Sequence, residues 1–191
     1  ICEEGIYWGP NRLSGMYRTI YNLLNRNRAK DRYRGHVEGD PFFWGDLCKK
    51  HIRYCRNFVF SDINTLKACP LMPYYDPNRP FVNGWYASSE GTRLKPFNET
   101  LCEANQDQLE EEGGACIMYT HFAKEFYEHG QLNSRFKELM KRLSKKNGWF
   151  VPTTTLLDYL AKVKGLHTLT DKERSGMERK WLIHKLRVGT T

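Results

Sequence analysis

The sequence predicts an α/β fold in which short apolar strands alternate with amphipathic helices. Between Gly113 and Leu160, an apolar run at 115–119 is followed by a polar tip, a helix, a second apolar run and another helix. A second stretch, 46–64, has the order helix, strand and polar tip. Strands and helices that alternate in this way are typical of an open or closed sheet covered by helices.

The individual elements follow from apolar periodicity and from residues that begin or end helices. Apolar residues three and four positions apart indicate a helix at 12–29. Gly113-Gly114 is expected to end a helix, and Thr170 with Glu173 matches a capping box that opens the last one. The sequence predicts the remaining helices at 46–51, 96–112, 134–145 and from 154 onward, and strands at 52–60, 115–119 and 149–151.

Polar residues at strand ends are the first candidates for a site. His121 follows the apolar run at 115–119, and Asp62 and Asn64 follow the strand at 52–60. Ligands of α/β sheets bind at the carboxyl ends of strands, so these side chains are expected on one rim. The alternative is that Asp62 or Asn64 caps the next element.

The loop at 32–45 gathers His36, Glu38 and Asp40 beside three aromatic residues. Loops of this composition often carry function, and zinc accepts imidazole and carboxylate ligands. Metal ligation by His36 and Asp40 is therefore a subsidiary hypothesis. The alternative is an aromatic plug that caps one end of the core.

The stretch 68–95 is irregular, proline-rich and punctuated by aromatic residues. A segment of this length with little regular structure indicates a binding loop or lid. One short strand is expected within 81–88. Aromatic faces stack on sugars and on bases, and they also fill cores. We take Trp85 and Tyr86 as candidate substrate-binding residues.

The C-terminal half also resembles a known family. The residues that carry the resemblance are Gly113-Gly-Ala-Cys-Ile-Met-Tyr-Thr-His121, Gly148-Trp-Phe-Val-Pro152 and Leu156-Leu-Asp-Tyr-Leu160. They resemble the C-terminal end of a polysaccharide deacetylase (NodB-like) domain over 98–162, and more weakly over 36–97. The resemblance implies a (β/α)-barrel-like fold, with the deacetylase-like domain at 1–164 and a linker and basic helix at 165–191.

The family's Asp-Asp metal motif, expected near the start of the domain, has no counterpart in this chain. The chain also begins at Ile1. The simplest expectation is that it is the C-terminal part of a longer protein, and a divergent member that lost the motif is the alternative.

The resemblance implies metal-dependent removal of acetyl groups from an N-acetylated polysaccharide or glycoconjugate. The family uses a divalent metal, usually zinc, to activate water. His121 matches the family's general acid, which protonates the leaving amine. Tyr119 stands where the family usually has Leu or Ile lining the acetyl pocket, and we include Asp62 among the substrate-binding candidates.

Two other classes of function stay open. One is a catalytically inactive carbohydrate-binding domain that keeps an aromatic groove without a metal. The other is a nucleic-acid or membrane-surface binder that uses the basic C-terminal third, where the net charge of +8 is concentrated. No nucleic-acid motif is evident, so no nucleic-acid partner is expected. The helix from Thr170 either contacts a membrane surface or packs on the domain through Trp181.

Cysteine usage and hydropathy bear on the compartment. The six cysteines include no C-x-x-C pair. Reduced structural thiols are expected, which favours the cytoplasm, although an even count also permits disulfides. No apolar run approaches the ~18 residues that a membrane span requires.

Overall fold

The computed structural model describes residues 5–24 and 33–189 and confirms the mixed α/β class. A 3-10 turn at Gly9–Arg12 precedes the first helix. The helices are α1 (Gly15–Leu24), α2 (Gly45–His51), α3 (Thr65–Ala68), α4 (Leu94–Thr100), α5 (Glu103–Glu112), α6 (Ser134–Leu143), α7 (Thr153–Lys164) and α8 (Asp171–Val188). The strands are β1 (Cys55–Phe60), β2 (Tyr74–Tyr75), β3 (Trp85–Ser89), β4 (Tyr127–Glu128), β5 (Gln131–Leu132) and β6 (His167–Thr168).

Four of the strands form a mixed sheet in the order β1-β3-β2-β6. β1 runs parallel to β3, β2 runs antiparallel to β3, and β6 runs parallel to β2. Strands β4 and β5 form a separate hairpin. Across the described ranges this sheet stays open, so the predicted barrel is not confirmed.

The two apolar runs that suggested further barrel strands contribute little to this sheet. The run at 115–119 supplies one isolated parallel bridge, between Met118 and Ser89. The run at 149–151 forms no strand, and Trp149 and Phe150 are 58% and 60% exposed. The strand predicted there is wrong, because these aromatic residues lie on the surface rather than in a sheet.

The main core lies between the sheet and helices α7 and α8. Phe58 of β1 packs on Trp181 of α8, with ring centroids 5.4 Å apart, and Leu157 of α7 is completely buried. Trp181 is 1% exposed, so α8 packs back on the sheet through this residue. Contact of α8 with a membrane surface stays a prediction. No helix in the described part of the chain is long and apolar enough to cross a membrane.

A buried ion network fixes α8 against the start of α1. The carboxylate of Glu178 accepts hydrogen bonds from the backbone N–H and the hydroxyl of Ser14, at 2.9 and 2.8 Å. Its other oxygen lies 3.2 Å from Arg79 Nη2. Arg79 and Arg174 both pair with Asp76. These charges are nearly inaccessible to water, and pairing offsets the cost of burying them.

Several predicted helix boundaries shift in the structure. The predicted helix at 96–112 is two helices, α4 and α5, which meet at Leu101-Cys102. Gly113 ends α5 in the left-handed conformation with φ 59°, as expected. The capping box of Thr170 and Glu173 opens α8, also as expected. Of the predicted helix at 12–29, α1 covers 15–24, and positions 25–29 lie outside the described residues.

Candidate functional site

The carboxyl ends of the parallel strands β1 and β3 meet on one rim of the sheet. The segment 117–121 runs along this rim. The backbone N–H of Ser89 donates to Ile117 O at 2.7 Å, and the N–H of His121 donates to Thr92 O at 3.3 Å. His121 therefore lies beside the residues that follow β3.

His121 is exposed and is held through its ring by Tyr119. The hydroxyl of Tyr119 and Nε2 of His121 are hydrogen-bonded at 2.5 Å, and the two rings meet edge to face. The face of the Tyr119 ring carries the guanidinium of Arg56, whose Cζ is 3.3 Å from the ring centroid. Tyr119 thus links an arginine on β1 to the candidate acid.

A second arginine joins this group through Trp8. The guanidinium carbon of Arg12 lies 3.3 Å from the centroid of the Trp8 ring, and that of Arg56 lies 5.2 Å from it. We call the five side chains Trp8, Arg12, Arg56, Tyr119 and His121 the arginine–aromatic cluster.

Local structure explains how the N-terminal members reach the cluster. Gly9 and Pro10 open the 3-10 turn that places Trp8 and Arg12 close together. Arg79 holds this turn, since its Nη2 donates to Arg12 O at 2.7 Å and its Nε donates to Asn11 O at 3.3 Å. The turn is therefore fastened to the buried ion network, which keeps Arg12 in position.

The electrostatics of the cluster are unusual for a protein interior. Arg12 is 4% exposed, and burial together with the charge of Arg56 lowers the pKa of Arg12 to about 9. Arg12 Nε and Arg56 Nη1 are buried donors with no hydrogen-bond partner among the described residues. Buried charged groups are normally paired, whereas no carboxylate of residues 5–24 and 33–189 pairs with Arg12 or Arg56.

A cleft of about 460 Å³ is lined by residues that follow β3 and by α4, and its link to His121 is the backbone of Thr92. Thr92, whose carbonyl accepts the His121 N–H, is part of its wall. Glu90 holds that wall, because its Oε1 accepts hydrogen bonds from Gly91 N, Thr92 N and Thr92 Oγ1 at 3.1, 3.1 and 2.9 Å. Other residues that line the cleft are Ser61, Lys95, Glu99, Asn105 and Val188.

The remaining predicted substrate-binding residues, Tyr86, Trp85 and Asp62, differ in burial and in their contacts. Tyr86 is the strand partner of Arg56 and is half-buried, and burial raises its pKa. Trp85 is 1% exposed inside the main core, so its ring presents no free face to a sugar in this structure. Asp62 lies at the end of β1, where its Oδ1 accepts a hydrogen bond from Asn64 N at 2.8 Å.

The capping alternative for this strand end is confirmed at Asn64. Its side-chain oxygen accepts a hydrogen bond from Lys67 N at 3.0 Å and so caps α3. Its amide nitrogen donates to Glu112 at 2.8 Å. Asn64 is therefore occupied in holding α3 to the end of α5.

His36 and Asp40, the predicted metal ligands, are each engaged elsewhere. Tyr7 N donates to His36 Nδ1 at 3.3 Å, and the two rings lie 4.2 Å apart. Asp40 accepts from Phe42 N at 3.0 Å and pairs with Arg34 at 3.3 Å. These contacts favour the alternative in which the loop caps one end of the core.

The side chains of residues 5–24 and 33–189 do not fit a zinc site. Within those ranges no three His, Cys, Asp or Glu side chains gather closely enough to hold a metal ion. The zinc implied by the deacetylase resemblance stays a prediction, and the chemistry below involves only residues of this chain.

Tyr119 and His121 are candidates predicted from the sequence, whereas Trp8, Arg12 and Arg56 are candidates that only the structure brings beside them. The signal for Arg56 is shared with Arg53, since these are the two charged residues of the predicted strand at 52–60. No comparable signal marks Arg12, since arginines are also frequent over the rest of the predicted helix at 12–29.

The chain was compared with family models, with curated proteins and with solved structures. No family model, curated protein or solved structure matches the chain. Function is therefore inferred from the residues of this chain and from their geometry.

Proposed function

We propose that this chain acts on an N-acetylated glycan and that His121 protonates the amine that leaves when the acetyl group is removed. One observation carries the proposal. His121 is an exposed imidazole that follows the carboxyl ends of two parallel strands, and its ring is held by the hydroxyl of Tyr119. Ligands bind at such rims, and imidazole is the side chain most often used to transfer protons near neutral pH.

The hydrogen bond between Tyr119 and His121 determines which nitrogen of the imidazole is available. Nε2 is engaged with the Tyr119 hydroxyl, whereas Nδ1 has no hydrogen-bond partner among the described residues. In the protonated ring, Nδ1–H can donate to the leaving amine while Nε2–H donates to Tyr119 Oη. After the transfer the ring is neutral and keeps its Nε2 proton. Tyr119 is thus a positioning residue, and His121 is the proton donor.

The cleft supports a sugar ligand. Its walls carry a hydroxyl, carboxylates, an amide and an amine, which suit the many hydroxyl groups of a glycan. Thr92 connects this wall to His121 by a backbone hydrogen bond of 3.3 Å. In this proposal the sugar occupies the cleft and its acetamido group extends past Thr92 toward the imidazole.

The test compares binding and turnover with chitotetraose, which is fully N-acetylated, and with its deacetylated form. The purified chain is assayed for acetate release with and without added zinc, and binding is followed by NMR of the His121 ring. We expect His121→Gln to abolish acetate release and to change chitotetraose affinity by no more than about twofold. The matched control is His51→Gln, which alters an exposed histidine at the end of α2 and should leave both readouts unchanged.

Two results would count against this proposal in different ways. Acetate release that survives His121→Gln would remove His121 from the chemistry. Binding of chitotetraose with no acetate release in either condition would identify a carbohydrate-binding domain instead.

A further inference from the structure

We propose that Arg12 and Arg56 form a binding site for an oxyanion, a carboxylate or a phosphate, carried by the ligand that reaches His121. The inference rests on the proposed function only in placing the anion and the acetamido group on one ligand. It makes the substrate class an acidic glycan, one that bears a uronate-type carboxylate or a phosphate ester.

Aromatic rings hold the two guanidinium groups of Arg12 and Arg56. Both lie within 5.2 Å of the Trp8 ring centroid, and Arg56 also lies 3.3 Å from the Tyr119 ring centroid. Stacking on an aromatic ring uses the flat face of a guanidinium and leaves the N–H groups at its edge free to donate. Two arginines fixed in this manner are suited to binding a carboxylate or a phosphate.

Arg12 differs from the other buried arginines of the described residues in its pairing. Arg79 and Arg174 are each 5% exposed, and both are paired with carboxylates. Arg12 is 4% exposed and pairs with no carboxylate in the part of the chain that the structure describes. Its Nε has no hydrogen-bond partner there, and neither has Nη1 of Arg56.

Arg12 and Arg56 carry positive charge that no carboxylate of the described residues neutralises. Burial and the neighbouring Arg56 both disfavour the charged form of Arg12, which lowers its pKa to about 9. An anion between the two guanidinium groups would supply the missing counter-charge and accept hydrogen bonds from the unpartnered donors. Guanidinium groups bind carboxylates and phosphates through paired N–H donors, so these two anions are the expected class.

The cluster is also placed to act together with His121. Tyr119 contacts Arg56 with its ring and His121 with its hydroxyl, so the anion site and the proton donor share one residue. A ligand held by the arginines would therefore lie close to the imidazole.

The experiment measures anion binding directly. The chain is titrated with sodium phosphate, sodium acetate and sodium sulfate at constant ionic strength set with sodium chloride. Binding is read from the side-chain N–H resonances of arginine by NMR and from the melting temperature. We expect saturable binding of phosphate or acetate, with an affinity at least about tenfold weaker in Arg56→Gln. Acetate without phosphate would indicate a carboxylate ligand, and phosphate without acetate would indicate a phosphate ester.

Two further variants keep the test informative. Arg56→Lys retains the charge but lacks the paired donors, so it should also weaken anion binding. This variant provides the test if Arg56→Gln does not fold. Arg179→Gln removes one charge from an exposed position on α8 and should leave binding within about twofold of the unaltered chain. Absence of saturable anion binding, or equal binding in Arg56→Gln and Arg179→Gln, would overturn the inference.

The two proposals can fail separately. If neutral chitotetraose binds and releases acetate but no anion binds, the oxyanion site is contradicted and the proposed function is supported. If anion binding is saturable and is lost in Arg56→Gln, but no N-acetylated oligosaccharide binds, the oxyanion site is supported and the proposed function is contradicted.

Discussion

The hydroxyl of Tyr119 and Nε2 of His121 are hydrogen-bonded, while the ring of the same tyrosine stacks on the guanidinium of Arg56. Tyr119 therefore contacts His121 and Arg56 through different parts of its side chain, and substitution can separate the two contacts. Removing the hydroxyl acts on the imidazole, and removing the ring acts on the arginine.

Tyr119→Phe should reduce turnover while preserving ligand binding. The ring that supports Arg56 remains, but the imidazole loses the hydrogen bond that orients it. We expect the rate constant kcat for acetate release to fall by about tenfold or more, with the affinity for chitotetraose changed by less than about threefold. Steady-state kinetics and NMR titration measure the two quantities.

The control is Tyr127→Phe, because Tyr127 is 62% exposed on the β4–β5 hairpin. Equal effects of the two tyrosine substitutions on kcat would show that Tyr119 does not position His121.

Glu178→Gln should strongly destabilise the fold. Glu178 is completely buried, and its carboxylate accepts two hydrogen bonds from Ser14 and pairs with Arg79. Removing this charge leaves Arg79 undercompensated in the interior, so the free energy of unfolding should fall by about 3 kcal/mol. Urea denaturation followed by circular dichroism measures the change.

Glu138→Gln is the matched control, since Glu138 is 68% exposed and its contact with Arg135 is 3.8 Å. Its effect should stay within about 0.5 kcal/mol. A loss below about 1 kcal/mol for Glu178→Gln would mean that the network adds little beyond its polar contacts.

Features that depend on neighbouring residues were predictable from the sequence. The capping box at Thr170, the glycine end of α5 at Gly113 and the amphipathic helix α6 all follow from short-range patterns. His121 and Tyr119 also lie in one short motif, and their roles in a site stay predictions. Local chemistry determines these features almost independently of the rest of the fold.

Features that depend on distant residues were not predictable. The family resemblance implies a barrel, but the pairing of β2 with β3 is antiparallel and the run at 115–119 forms one bridge, so a barrel is not confirmed. Periodicity identifies an apolar face without saying what covers it, and Met16 of α1 is 67% exposed. Arg12 and Arg56 are far apart in sequence and meet only because the turn before α1 lies against the sheet.

The stability of the fold should fall as the pH drops below neutrality, partly because of His36. Burial, with the charges of Arg18 and Arg79, lowers the pKa of His36 from 6.5 to about 4 in the folded chain. Between these values the unfolded chain binds a proton at His36 and the folded chain does not. Stability therefore rises with pH across this window and is lost as the pH falls through it.

His36→Gln should reduce this pH dependence. Between pH 7 and pH 4.5 we expect the variant to lose about 1–2 kcal/mol less unfolding free energy than the unaltered chain, after allowance for solvent screening of a half-buried group. Urea denaturation at the two pH values provides the measurement. The control is His51→Gln, which alters an exposed histidine and should keep the full pH dependence. Parallel curves for the unaltered chain and His36→Gln would show that His36 is not protonated differently on unfolding.

Two glycine-to-alanine substitutions should change stability in opposite directions. A Cβ on Gly114 would overlap the side chain of Asn64. Asn64 cannot move away cheaply, because its oxygen caps α3 and its nitrogen donates to Glu112. We therefore expect Gly114→Ala to lower the free energy of unfolding by about 1–3 kcal/mol.

Gly176 is the matched position, since it lies inside α8 and a Cβ there would meet no atom within 4 Å. Alanine favours a helix more than glycine does, so Gly176→Ala should raise the free energy of unfolding by up to about 1 kcal/mol. Thermal and urea denaturation of both variants give the comparison. Because Gly114 immediately precedes the segment that carries Tyr119 and His121, Gly114→Ala should also shift the His121 ring resonances, whereas Gly176→Ala should leave them in place. Unchanged His121 resonances in a destabilised Gly114→Ala chain would show that the contact with Asn64 supports α3 and not the candidate site.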